Sequence, residues 1–259
     1  MLKIDEREIA VYLETFLKRE IDKIGVKKAI LGLSGGVDSA VVAALLTKAI
    51  GAENVIGMIM PYKSSSPQSR EHAELLAGRL NITCYLRDIS PMVDAFFTDM
   101  PEADALRRGN KMARERMCVL YDYSALYSAV VIGTSNKTEL LMGYGTIFGD
   151  LASAINPLGN LYKTQVRQLA AYLKIPKIII DKKPTADLWE GQTDEEELGY
   201  SYAQLDKFLY FLIDLKESDE QLLGRGYSAE MISDIKNRIE RNRFKGKPPL
   251  IARIDGLSA

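Results

Sequence analysis

The chain of 259 residues carries only two cysteines, one tryptophan and one histidine. Cys84 and Cys118 lie far apart and in no paired motif, so neither a zinc cluster nor a disulfide framework is available, and a reducing compartment is the simplest inference. The lone histidine, His72, stands in a charged helical stretch, where a surface role is expected rather than catalysis. Excess charge is missing too. Lys and Arg number 34 against 35 Asp and Glu, a net charge of -1 that supplies no bulk field to gather nucleic acid or an anionic membrane. A small-molecule substrate fits better. The segment Met1 to Arg7 has no apolar signal core, and no later run reaches membrane-spanning length without charges, so a cytoplasmic protein is expected. Internal repeats and low-complexity tracts are absent.

What is present is a hydrophobic content of 47%, enough to bury one good core. A single domain over residues 1–259 is expected in preference to a large domain with a small helical appendage. Apolar positions recur at helical spacing over residues 5–24 (Ile9, Tyr12, Leu13, Phe16, Leu17, Ile21, Ile24) and stop at Gly25, which gives an amphipathic helix packed outside a sheet or against a second subunit. Apolar runs at 28–33, 54–60, 82–87 and 130–133 alternate with helical patterns, among them 67–80 and a long helix opening at Gly109. That alternation predicts an α/β fold with a doubly wound parallel sheet and helices on both faces. Ligands in such folds sit beyond the carboxyl ends of the strands, so Ser34–Ser39, Pro61–Ser66, Asp88–Ser90 and Thr134–Glu139 are expected in one crevice.

The most informative stretch runs from the first strand through Ser34-Gly35-Gly36-Val37-Asp38-Ser39 into an Ala/Leu/Val-rich helix. Two glycines permit positive φ and close ligand approach, while both serines and the free amides of the first helical turn face one spot, a nest for phosphate. No lysine follows the loop as it does in Walker sequences, so the site suits pyrophosphate rather than a transferred γ-phosphoryl group. Asp38 beside polyphosphate argues for an intervening Mg²⁺, although an aspartate that merely helps cap the helix satisfies the local pattern.

Other candidates also carry two readings each. Glu139 follows Asn136 at capping-box spacing, yet with Asp38 it supplies a second hard oxygen ligand for magnesium. Arg114 and Arg116 open the long helix, either as carboxylate or phosphate ligands or as an ordinary basic face paired with Glu115 and Asp122. Lys163 precedes a helix, where it reaches a phosphate or stays solvated. Met58, Ile59 and Met60 flank an adenine ring or simply fill core. Asp150 is the only charge in the glycine-rich 143–150 loop. Residues 182–199 lack a period until their acidic end and read as a lid over the site, with Trp189 inside it as a mobile reporter or a fixed anchor. Helical patterns return at 202–215 and 229–243, before a basic, Pro-bearing tail from Phe244 to Arg253.

The Ser-Gly-Gly-Val-Asp-Ser loop resembles that of the N-type ATP pyrophosphatases. With Gly109-Asn110-x-x-Ala113-Arg114-x-Arg116-Met117, Gly133-Thr134-Ser135-Asn136-Lys137-x-Glu139, Gly149-Asp150, Asn156-Pro157-Leu158, Tyr162-Lys163-Thr164 and Gly191-Gln192-Thr193-Asp194-Glu195 in that order, nearly the whole chain resembles ammonia-dependent NAD synthetases. The resemblance implies the adenine nucleotide alpha hydrolase-like fold and a ligase that joins ammonia to deamido-NAD through an acyl-adenylate, with release of AMP and pyrophosphate. It implies ATP contacts at Gly32, Leu33, Ser34, Gly35, Gly36, Val37, Asp38, Ser39, Thr134, Lys163 and Thr185. Mg²⁺ would be held by Asp38 and Glu139, and deamido-NAD by Asn110, Arg114 and Lys245. Asp150 resembles the carboxylate that receives ammonia. A homodimer is implied as well, with the substrate near the subunit interface and the Arg114 helix and N-terminal helix as candidate contacts.

Three positions depart from the usual pattern: Ile147 replaces a lysine, Ala154 an aspartate, and Phe244 the histidine of a His-Lys pair. The ATP half is intact. A tRNA-modifying pyrophosphatase would call for a basic face or a catalytic cysteine pair, and a non-catalytic nucleotide-binding module would not need Glu139, Lys163 and the lid. Ammonia is expected as the direct nitrogen source, since no nitrilase or amidotransferase segment precedes the loop.

Overall fold

The computed structural model describes residues 2–189, 191–247 and 251–252. Four parallel strands lie in the order β3-β2-β1-β4. These are β1 (Lys28–Gly32), β2 (Val55–Ile59), β3 (Thr83–Leu86) and β4 (Ala129–Val131). Ala29, Ile30 and Leu31 are buried on both faces of the sheet, which is why the central strand reads as a continuous apolar run rather than an alternating one.

The helices are α1 (Glu6–Ile24), α2 (Val37–Ile50), α3 (Pro67–Leu80), α4 (Ser90–Phe96), α5 (Ala105–Tyr127) and α6 (Lys137–Met142). They continue with α7 (Lys163–Tyr172), α8 (Lys177–Ile180), α9 (Asp194–Leu198), α10 (Tyr202–Leu209), α11 (Asp219–Gly224) and α12 (Ala229–Asn242). Helices α1, α2, α3 and α7 build the core on one face of the sheet, and α4 and α5 build a second core on the other. The expected doubly wound arrangement is therefore present. β2 and β3 lie to one side of β1 and β4 to the other, so the chain changes direction between β1 and β4. That switch point opens a crevice beyond the strand ends.

Helix α1 lies outside the sheet: Ala10, Leu13, Leu17 and Ile21 are buried with the α2 and α7 side chains, and Val11 and Tyr12 remain exposed. Its apolar stripe is thus used within the chain. The pattern expected to form one helix at 202–215 is instead α10 followed by a wider π-helical turn at Tyr210–Asp214. A third apolar cluster joins α10, α11 and α12 to Met142 and Tyr162. His72 is buried, not on the surface, because it shares the inward stripe of α3 with Ser69, Ala73 and Leu76. The tail from Phe244 onward is described only to Lys247 and at Ile251 and Ala252.

Candidate active site

The turn after β1 is built by hydrogen bonds among its own residues. Ser34 N donates to Ser39 Oγ at 3.3 Å, Gly36 N to Ser34 Oγ at 3.3 Å, and Ser39 Oγ to the Gly36 carbonyl at 3.0 Å. Gly35 sits at φ 72°, and a Cβ there would lie 2.1 Å from the Ser69 carbonyl oxygen. Only glycine fits that place, which lets α3 close on the loop.

The first turn of α2 then aims Asp38 across the switch point. Asp38 Oδ1 accepts from Asn136 Nδ2 at 3.0 Å and Oδ2 from Lys163 Nζ at 2.5 Å. Glu139 Oε1 accepts from the same ammonium at 3.2 Å. Glu139 Oε2 meanwhile accepts from Asn136 N at 3.1 Å, and Asn136 Oδ1 from Glu139 N at 3.0 Å. The capping box and the converging carboxylates thus coexist: one oxygen of Glu139 closes the helix and the other faces the cluster. Lys163 is buried rather than solvated. Three charged groups from three elements, 125 residues apart at the extremes, meet beyond β1 and β4.

Burial pushes the Glu139 carboxyl up to about 8, with the Asp38 charge adding to the effect and Lys163 opposing it. Burial also acts against the Lys163 ammonium, but Asp38 and Glu139 more than offset it and hold the group above the ordinary lysine value. Burial thus favours the protonated form of Glu139 when no further cation is near. Two facing carboxylates with one shared ammonium fit magnesium, which takes one or two carboxylates together with phosphate oxygens and water. No group of three or more metal-ligating side chains occurs among the described residues, so the protein alone forms no closed cage.

The cluster is held by a residue that sequence reasoning missed. Asp206, fully buried on α10, accepts from Thr138 Oγ1 at 2.6 Å and from Thr164 N at 2.8 Å. Thr138 Oγ1 accepts in turn from Lys163 N at 3.2 Å. One carboxylate therefore ties the start of α6, which carries Glu139, to the start of α7, which carries Lys163. The sequence does hold a signal for it, since Asp206 lies on the apolar stripe Tyr202, Leu205, Leu209. Asp206→Asn should leave a buried amide without its acceptor and destabilise the fold by about 1–3 kcal/mol. A melting temperature lowered by about 2–4 °C per kcal/mol, with turnover reduced more than nucleotide affinity, is the expected result.

The crevice, about 610 Å³, is lined by the phosphate loop, Met58 to Pro61, Ser65, Ser66, Thr134, Glu139, Asp150, Lys163, Thr185 and Lys245. The Asp88–Ser90 turn, expected there, is elsewhere: Asp88 Oδ1 accepts from Ser90 N at 2.7 Å and starts α4. Met58 and Met60 are both core and crevice wall. Asn110, Arg114 and Lys245 each brace the 143–150 loop. Thr146 Oγ1 donates to Asn110 Oδ1 at 2.8 Å, Arg114 Nε to the Ile147 carbonyl at 3.3 Å, and Lys245 Nζ to the Gly143 carbonyl at 2.8 Å. Arg114 is exposed and does not line the crevice, whereas Arg116 does.

The loop thus braced presents Asp150, whose Oδ1 accepts from Thr146 N at 2.8 Å. Asp150 is accessible to solvent inside the crevice, and the walls around it still push its carboxyl above the ordinary aspartate value.

Residues 182–193 lie across the mouth, Glu190 being outside the described residues. Asp187 accepts from Ser66 N at 3.0 Å, and Lys182 Nζ donates to Ser69 Oγ at 2.7 Å. A Cβ on Gly109 would lie 2.9 Å from Leu188 and 3.5 Å from Trp189, so a glycine on α5 lets the loop pack closely against that helix. Asp194, at the loop's far end, is buried and accepts from Tyr144 Oη at 3.0 Å and Tyr202 Oη at 3.1 Å. Among the described residues no helix is long and apolar enough to cross a membrane.

The family described as NAD synthase matches residues 9–249. An NH(3)-dependent NAD(+) synthetase of Trichlorobacter lovleyi is 51% identical over 255 residues, 98% of this chain and 93% of that protein. Among solved structures, an NMN synthetase from Francisella tularensis superposes with a TM-score of 0.87 at 37% identity, covering 97% of this chain and all of that one (100%). An NH3-dependent NAD synthetase from Campylobacter jejuni, in complex with nitrate, gives 0.82 at 38% with coverage of 97% and 100%. The architecture is accordingly the adenine nucleotide alpha hydrolase-like one that the loop sequence implied. With a phosphate loop facing two carboxylates and a buried lysine, and with likeness over nearly its whole length, the chain belongs to the NAD synthase family.

Proposed function

We propose that the protein is an ammonia-dependent NAD synthetase: a ligase that activates the nicotinate carboxylate of deamido-NAD with ATP and replaces AMP by ammonia. The observation that carries this reading is the convergence of Asp38, Glu139 and Lys163 on the phosphate loop. The carboxylate of deamido-NAD attacks the α-phosphorus, and the bond to the β-phosphate breaks with its electron pair leaving on pyrophosphate. Amides of Ser34–Ser39 and the Lys163 ammonium receive that charge in a setting of fixed dipoles. Magnesium, when bound by Asp38 and Glu139, supplies charge neutralisation at the leaving pyrophosphate. Asp150 then draws ammonium to the acyl-adenylate and accepts its proton, so free ammonia attacks the carbonyl. The 182–193 loop excludes water from an intermediate that hydrolyses readily.

We further propose that the chain works as one domain, because Asp194 and Asp206 of the C-terminal part complete the site built on the sheet. A crevice of about 610 Å³ lies in the range of about 300–1,000 Å³ that suits one ligand, whereas the reaction brings ATP and a dinucleotide together. That supports a homodimer with deamido-NAD near the subunit interface, where Tyr121 and Leu126 of α5 are exposed apolar side chains. A reducing cytoplasm agrees with free Cys84 and Cys118.

The likeness to an NMN synthetase, together with the replaced positions Ile147, Ala154 and Phe244, makes the mononucleotide the competitor to test. NAD formed from deamido-NAD, ATP and ammonium with matched AMP and pyrophosphate is the expected outcome. A higher kcat/KM with nicotinate mononucleotide would move the substrate assignment, and equal turnover with glutamine in place of ammonium would refute the nitrogen source.

A further inference from the structure

We infer that Arg116 is a catalytic residue that neutralises the α-phosphoryl oxygens of ATP at the reacting centre, an inference that rests on the adenylation reading above. Its place on α5 is bracketed by two neighbours on the same face, Ala113 and Leu120. A Cβ on Gly32, at the end of β1, would lie 3.8 Å from Leu120 Cδ1, and a Cβ on Gly149 would lie 3.1 Å from Ala113 Cβ. Arg116 therefore stands midway along the wall that runs from the phosphate loop to Asp150. The reacting centre must fall on that same line, because pyrophosphate departs toward Ser34–Ser39 and ammonia approaches from Asp150.

The guanidinium is anchored at one end only. Nε donates to the Met60 carbonyl at 2.9 Å, just beyond β2, while the two terminal nitrogens donate to no described residue and Arg116 lines the crevice. Asp187 and Asp150 are the acids whose charge reaches it, and among the described residues neither forms an ion pair with it. Burial presses the group below the ordinary arginine value, and a guanidinium still stays charged at any working pH. The guanidinium is half-buried in the crevice wall, and among the described residues its two terminal nitrogens stay free to receive an anion there.

Of the anions the reaction brings in, the β- and γ-phosphates already face the phosphate-loop amides and Lys163, at the far end of the wall. The α-phosphoryl group is the one that falls opposite Arg116. As the carboxylate oxygen bonds to the α-phosphorus and the bridging bond to pyrophosphate breaks, charge on the two non-bridging oxygens is held by a planar fork suited to receive both. Arg116 transfers no proton.

The test uses full-length Arg116→Gln and Arg116→Lys with ATP and with the two diastereomers of ATP bearing sulfur on the α-phosphorus. Arg116→Gln should lower kcat by about 10²–10³. KM for ATP should stay within about threefold, since the contact tightens in the transition state. The wild-type preference between the diastereomers should collapse toward parity in Arg116→Gln and be partly kept in Arg116→Lys. An unchanged kcat, a wild type without preference, or a kcat loss with the preference intact would overturn the assignment, the last leaving Arg116 as a brace for Met60. Should Arg116→Gln fail to fold, Arg116→Lys carries the stereochemical comparison. A wild type that makes no product from deamido-NAD would instead count against the adenylation reading.

Discussion

Lys163→Gln should reduce NAD formation by about 10²–10³-fold and leave a less stable protein. Among the described residues the ammonium is the single cation between Asp38 at 2.5 Å and Glu139 at 3.2 Å, with 4% of its side chain exposed. Removing it leaves two buried carboxylates facing each other, and breaking a buried pair in this way typically costs about 3–5 kcal/mol. The loss in rate has a separate origin, because one charged donor aimed at developing charge accounts for about 10²–10³ in kcat. The two effects can be told apart by adding magnesium. A divalent cation between the carboxylates should recover much of the melting temperature and little of the rate. Recovery of both together would mean that Lys163 only holds the carboxylates apart. The ion pair should not weaken as pH rises through the neutral range: a lysine held above its ordinary value keeps its full contribution below that ordinary value and loses it as pH climbs on through the raised one.

Asp38→Asn and Glu139→Gln should each lower adenylation by about 10²-fold at limiting magnesium, since each removes one hard anionic donor and keeps side-chain size. The readout that does not depend on turnover is thermal stability. In the wild type, magnesium should raise the melting temperature, and in either variant most of that rise should vanish. The pH dependence follows from Glu139. A carboxyl raised from 4.5 to about 8 contributes its full stability below about 4.5 and loses it as pH climbs through 8. Magnesium favours the ionised form, so its binding at pH 7 should release a proton and its stabilisation should grow as pH rises toward 8. Variants that keep both the wild-type rate and the magnesium-dependent melting shift would remove these two side chains from the metal site.

Much of this arrangement is legible in the amino-acid sequence. Helical spacing predicts a helix at 67–80, and α3 occupies Pro67–Leu80, because Pro67 and the punctuation at Asn81 mark both ends. The phosphate loop, Asp38, Glu139 and Lys163 carry their chemistry in short local patterns, and the order of the strands brings them together. What stays hidden depends on rotation and tertiary contact. Arg114 and Arg116 are two residues apart, so they face different sides of α5, and the choice of the crevice side is made by packing against β1 and β4. His72 reads as solvated because Arg70, Glu71 and Glu74 surround it in sequence, although Ser69, Ala73, Leu76 and Ala77 set a stripe that turns it inward. Asp88 has the position of a strand-end ligand but is used to start α4. Asp206 and Asp194 act from the C-terminal helices on Thr138 and Tyr144 across long sequence separations, and no local spacing predicts a contact of that kind.

The central claim is that the nicotinate carboxylate attacks the α-phosphorus. It is tested most directly with deamido-NAD carrying ¹⁸O in both carboxylate oxygens, in a single turnover with ATP, magnesium and ammonium. One labelled oxygen should appear in the phosphate of AMP and the other should stay in the amide of NAD, with none in pyrophosphate. Label in pyrophosphate, or AMP without label, would contradict an acyl-adenylate and with it the roles of Lys163, Arg116 and the phosphate loop.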